Sequence, residues 1–166
     1  MNLKNILVFF AFLVSCQSWP YPHHTSYGHE LALSVIFESP LQHLADRQER
    51  YCELAEAKIF LKEVATAWAD TKLIDGYPGQ DVIMGRRKGN VWYVGGNTSS
   101  ENKEITKNIK LEFLKEGVSY RTVLIADGKH DKAFDSQVMI VDKNSTIDIK
   151  LLRRGGFVIL LTPMDK

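Results

Sequence analysis

Eight short strand-like runs, alternating most clearly at 107–113 and 120–125, fill the chain after position 67, and they dictate most of what it can become. The runs are 71–75, 82–87, 91–94, 107–113, 120–125, 137–141, 146–151 and 157–162. A side-chain period of two places successive residues on opposite faces of a strand. Turn residues punctuate them: GYPG at 76–79, KGN at 88–90, and Asp127-Gly128. GGN at 95–97 reads as the break that ends the third run. Many short strands spaced by Gly, Asn and Asp turns predict an antiparallel β-sandwich over residues 67–166.

Residues 28–66 follow a different rule. Leu31, Ala32, Val35 and Ile36 recur at helical spacing, with Thr25 or Ser26 placed to cap the helix start. Ser39-Pro40 should end that helix, because the residue before proline disfavours helical backbone. Further helical patterns cover about 46–57 and 57–64. Some 40 helical residues cannot enclose a core alone. They must pack on the sandwich or on another body. With another body as their usual partner, residues 31–37 would expose an apolar patch of several hundred Å2 and favour self-association.

The first 16 residues, MNLKNILVFFAFLVSC, read as an address. Lys4 supplies a positive start, and residues 6–14 form an apolar stretch too short to cross a bilayer as a helix. Leu13-Val14-Ser15-Cys16 resembles a bacterial lipobox, in which Cys16 is acylated and becomes the mature N-terminus. The expectation is an exported lipoprotein, periplasmic or at the outer membrane, held to the membrane through its lipid. Residues 17–27, with two prolines, form a linker. Cys52 then stands alone as a buried thiol on a helix.

Charge and length exclude several classes. Lys plus Arg is 21 and Asp plus Glu is 20, so nothing marks a nucleic-acid partner. Removal of residues 1–15 leaves 20 of each sign. Two cysteines make neither a disulfide scaffold nor a four-cysteine zinc site. At 166 residues the chain cannot hold a (β/α)8 barrel, which takes roughly 250.

GHELALSVIFESPLQH (28–43), FLKEV (60–64), WADTK (68–72) and DGYPG (75–79) resemble, in order, the end of the glycoside hydrolase family 97 sequence. RRKG (86–89), WYVGG (92–96), Phe113-Leu114 and GGF (155–157) continue the match. The resemblance implies an N-terminal β-sandwich, a catalytic (β/α)8 barrel and a C-terminal β-sandwich in the intact family, whose members are calcium-dependent exo-acting α-glucosidases or α-galactosidases, inverting or retaining. It makes residues 28–66 the final barrel helices and 67–166 the C-terminal sandwich. The catalytic carboxylates and calcium-binding glutamates of the family fall in parts with no counterpart here, so no catalytic, cofactor or metal residue is assigned. Glycoside hydrolysis needs two carboxylates facing across a pocket, a frame that nothing in these residues supplies.

Other residues invite chemistry but have plainer roles. His29-Glu30 is no HExxH site, since position 33 is Leu, and Glu30 suits the positive end of a helix. Glu38 reads as solvated or capping, and His23-His24 as linker. Arg86-Arg87-Lys88 reads as a solvated turn, with Arg86 and Arg87 on opposite faces. Trp68, Tyr77, Trp92 and Tyr93 would form a sugar platform only if coplanar and exposed, whereas core packing is the default. Trp92 and Tyr93 also point oppositely.

The resulting expectation is a non-catalytic, oligomerising sandwich, with no turnover by itself. Its partners would be a second copy or a glycosidase barrel in trans. Binding of an α-linked saccharide is the alternative.

Overall fold

The computed structural model describes residues 24–38, 54–101 and 103–164. Helix α1 (Tyr27–Ile36) and helix α2 (Ala55–Glu63) precede eight strands. These are β1 (Asp70–Tyr77), β2 (Asp81–Lys88), β3 (Val91–Thr98), β4 (Ile105–Lys110), β5 (Tyr120–Asp127), β6 (Phe134–Val141), β7 (Thr146–Leu151) and β8 (Gly156–Pro163). Six strands form one sheet in the order β1-β2-β3-β8-β5-β6, and β4 pairs with β7 in a second sheet. Every pairing is antiparallel. The mainly-β class and the sandwich follow the sequence expectation.

Two apolar layers lie on either side of the six-stranded sheet. Between the sheets, Trp92, Val94, Leu124, Phe157, Ile159 and Leu161 meet Ile109, Ile147, Ile149 and Leu151. On the opposite face, Tyr93, Ile125 and Val158 meet Leu31, Ala32 and Val35 of α1 and Ala57 and Phe60 of α2. The central strands are therefore covered on both sides. Fully burying one such aliphatic or aromatic side chain is worth about 1.5–3 kcal/mol, so the helical layer is a substantial share of the fold. Residues 31–37 do not present the bare apolar face expected of them: the sheet takes Leu31, Ala32 and Val35, and Phe37 alone is left 61% exposed.

Ser26 caps α1, its Oγ accepting from the His29 N–H at 3.1 Å. The helix ends at Ile36, ahead of the expected stop, because the Phe37 backbone is already extended. The helical pattern at 57–64 appears as Ala55–Glu63. Residues 46–53, with Cys52, and Ser39-Pro40, His23 and Cys16 lie outside the described residues.

One break in the sequence reading is no break. Gly95 and Gly96 sit inside β3, paired with Val158 and Phe157 of β8. A Cβ on Gly95 would stand 2.8 Å from Val35 Cβ and 2.9 Å from the Ala32 carbonyl. Glycine is there so that α1 can lie directly on the strand.

Candidate functional site

The buried polar residues collect at the seam between α1 and the sheet. Asp127, expected in a turn, is the last residue of β5 and is 8% exposed. Its Oδ1 accepts from the Ser26 hydroxyl, and its Oδ2 accepts from the backbone N–H groups of Leu152 and Gly156, each at 3.0 Å. One carboxyl thus joins the cap of α1, the end of β5 and the start of β8. Burial raises its pKa above the ordinary aspartate value, and these hydrogen bonds pull the other way. The backbones here almost touch: a Cβ on Gly28 would lie 2.2 Å from the Gly156 carbonyl oxygen.

His29 lies beside this anchor, its Nε2 3.2 Å from Asn97 Nδ2. Its buried Nδ1 has no hydrogen-bond partner among the described residues. Burial lowers its pKa and favours the neutral ring, with the Glu30 charge acting against that shift. Glu30 lies in the first turn of α1, at the positive end of the helix dipole as expected, and takes a hydrogen bond from Thr25. Glu38 is exposed and lies 3.4 Å from Arg86. His24 is exposed.

Arg86 departs from the solvated turn read from its sequence. It is 3% exposed and points at the C-terminal end of α1. Nε donates to the Val35 carbonyl at 2.6 Å, Nη2 to the Ile36 carbonyl at 2.8 Å, and Nη1 to Thr71 Oγ1 at 3.1 Å. The last carbonyls of a helix have no partner within it, and a guanidinium fork fits two of them. The Trp68 ring lies 5.9 Å from its charge. Arg87 points to the other face, over Trp92, as the period of two requires.

The aromatic residues form no common platform. Trp92 is in the inter-sheet core and contacts Phe113 edge-on. Tyr93 points to the helices, its hydroxyl donating to the Glu63 carbonyl at 2.8 Å, with Trp68 edge-on at 5.3 Å. Tyr77 alone of the four is exposed, at 65%.

Lys107 of β4 reaches Asp75 Oδ2 at 2.9 Å and Asp81 Oδ2 at 2.5 Å, tying the small sheet to the β1–β2 corner. Burial works against its charge, but the hydrogen bonds to Asp81 and Asp75 outweigh it and hold the ammonium above the ordinary lysine range. An open cleft of about 780 Å3 runs between Asp127–His130 and the outer end of β7. On its walls, Lys150 pairs with Glu104, and Asp148 accepts from Asn108 at 2.7 Å. Among the described residues, no three His, Cys, Asp or Glu side chains are grouped to hold a metal ion. Sequence reasoning missed Asp127 and Lys107 as anchors, because each acts on strands distant in the chain.

Comparison with known proteins gives this architecture its relatives. Residues 67–162 match the family model described as glycosyl-hydrolase 97 C-terminal, oligomerisation. The chain is 32% identical over 148 residues to the retaining alpha-galactosidase of Bacteroides thetaiotaomicron, covering 87% of this chain and 22% of that one. It is 30% identical over 139 residues to a probable retaining alpha-galactosidase of Streptomyces bingchenggensis, covering 84% and 21%. Among solved structures, a family 97 enzyme of Pseudoalteromonas sp. strain K8 in complex with acarbose superposes with a TM-score of 0.79 at 28% identity, over 85% of this chain and 23% of that one. The chain spans about a fifth of the length of the curated relatives it matches. Fold, curated relatives and family model agree: the chain belongs to glycoside hydrolase family 97 and carries its C-terminal β-sandwich region.

Proposed function

We propose that this chain serves as the oligomerising, non-catalytic β-sandwich of a family 97 α-glycosidase, with an α-galactosidase as the favoured parent activity. The observation that carries the reading is the use of the polar residues: Asp127, Arg86 and Lys107 are each engaged in joining layers of the fold. The family description as an oligomerisation region supports association as the role. The names of the two curated relatives favour α-galactosides over α-glucosides. In this reading residues 28–66 are the closing helices of a catalytic barrel, and calcium belongs to that barrel.

Export as a lipoprotein through Cys16 is part of the same proposal, resting on the residues 1–16 pattern. Alkyne-palmitate labelling of the native chain and of Cys16→Ser tests it, and equal labelling of both would remove the anchor.

The purified full chain should sediment as an oligomer at micromolar concentration. It should release no product from aryl α-galactosides or α-glucosides with calcium present. A monomer at all concentrations would overturn the oligomerising role, and calcium-dependent turnover would overturn the non-catalytic one.

One observation favours a second reading, a barrel supplied in trans. Phe37 and Ile59, at the outer side of the helical layer, are 61% and 62% exposed. A stable complex with a separately expressed family 97 barrel, formed at the expense of self-association, would select it.

A further inference from the structure

We propose that β6 is the self-association edge of this chain, pairing antiparallel with β6 of a second copy to continue the six-stranded sheet across a two-fold axis. This rests on the oligomerising role above and names the surface that performs it.

The two edges of the large sheet are built differently. β1 is defended: its register slips between Leu73 and Asp75, and Asp70, Lys72 and Asp75 put charge along it. Lys107 also clamps it to the small sheet. Charges and bulges of this kind block pairing with another strand. β6 has none of them after Asp135. Its register with β5 is unbroken over eight pairs, and Ser136 to Val141 has no charge, glycine or proline. Its only strand partner among the described residues is β5. A long, regular, uncharged edge is a template for another strand.

The side chains specify the occupant. Val138 and Ile140 are 64% and 67% exposed, on the helix-side face where α1 and α2 do not reach. Alternation allows self-pairing in a limited set of registers, since paired residues must share a face. With Met139 on the two-fold axis, Val138 opposes Ile140 of the copy, and the reverse, so both exposed apolar residues are covered twice. The same register brings Lys143, in the turn just past the strand, toward Asp135 of the copy. Its present partner, Glu116, is itself exposed and 3.5 Å away. Opposite charges and paired aliphatic residues across strands favour a register, and this one supplies both.

Sedimentation velocity and oxidative cross-linking on the full chain test the proposal. Ile140→Lys, checked for native circular dichroism, places a charge on the axis-proximal pair of each copy and should weaken the dimer at least about 100-fold, as two losses of about tenfold each. Ile59→Lys, on α2, should leave the dimer unchanged. In a Cys16→Ser, Cys52→Ser background, Met139→Cys should cross-link to itself and Gln137→Cys should not. A dimer that survives Ile140→Lys, or that cross-links at neither position, overturns the β6 assignment while leaving oligomerisation intact. A parent chain that stays monomeric overturns both.

Discussion

Asp127 is the residue whose replacement should separate two explanations of a buried acid. Its Oδ2 accepts two backbone N–H groups, from Leu152 and Gly156, and its Oδ1 faces the Ser26 hydroxyl. Alanine removes all three contacts and leaves the Leu152 and Gly156 amides without their acceptor. An orphaned buried polar group costs about 1–3 kcal/mol, so Asp127→Ala should lose about 3–5 kcal/mol. That is a large part of a typical domain's stability of about 5–15 kcal/mol. Asparagine is different. Its amide oxygen can take the Oδ2 place and its NH2 can donate to Ser26 Oγ, which is the pattern of a protonated Asp127. Asp127→Asn should therefore cost about 1 kcal/mol or less at pH 7. The pH dependence has a definite sign. Burial raises the Asp127 pKa in the folded state. A raised acid gives its full stabilisation below the unfolded value and loses it as pH climbs through the folded one. The native chain should thus lose ground against Asp127→Asn as pH rises from below 3.8 through the raised pKa. Urea unfolding followed by tryptophan fluorescence, extrapolated linearly, measures both. If Asp127→Ala stays within 1 kcal/mol of the native chain, or Asp127→Asn falls as far as Asp127→Ala, the three-way anchor is refuted.

Two further substitutions probe the same seam. Gly95→Ala must push α1 off the sheet, because the new methyl would meet Val35 Cβ at 2.8 Å. A loss of about 1–3 kcal/mol in urea unfolding is expected, against little change for Gly89→Asn, whose position is open and left-handed. Arg86→Met leaves the Val35 and Ile36 carbonyls without their donor. It should cost about 2–4 kcal/mol, with hydrogen exchange quickening first in α1; Arg86→Lys should recover less than half, since an ammonium lacks the planar fork.

What was legible in the sequence was whatever local pattern controls. Thr146–Leu151 alternates strictly because β7 has one face toward the core and one toward solvent, and its limits come straight from that alternation. β8 could not be read so well. Phe157 to Leu161 is apolar at every position, because the strand is covered on both faces. That run, with the Val91–Val94 and Val123–Ala126 runs, was the signal that a helical layer must sit on the sheet. Arg86 was misplaced because its neighbours Arg87 and Lys88 look like a solvated turn. Only the meeting of α1 with β2, some 50 residues apart in the chain, makes it a helix cap. Gly95-Gly96 was misread for the same reason: a glycine pair signals a break locally and a close approach globally.

These misreadings share a physical origin that also explains the polar residues of the family motifs. A sheet with two apolar faces needs a layer on each, and the helical layer ends against it at both termini of α1. A helix end sheds unpaired N–H groups at one terminus and carbonyls at the other. Ser26 with Asp127 answers the first, and Arg86 answers the second. The acid and the base that most resemble catalytic candidates by type are therefore placed by the polarity of α1 itself, negative group at its start and positive group at its end. The same seam demands Gly28, Gly95 and Gly156, where helix and strand backbones leave no room for a methyl. Gly28-His29, Arg86, Gly95 and Gly156, one piece from each of four family motifs, are thus parts of one contact surface. Their order and spacing along the chain record how α1 lies on the sheet, which is why they identify the fold without any one of them marking a reaction.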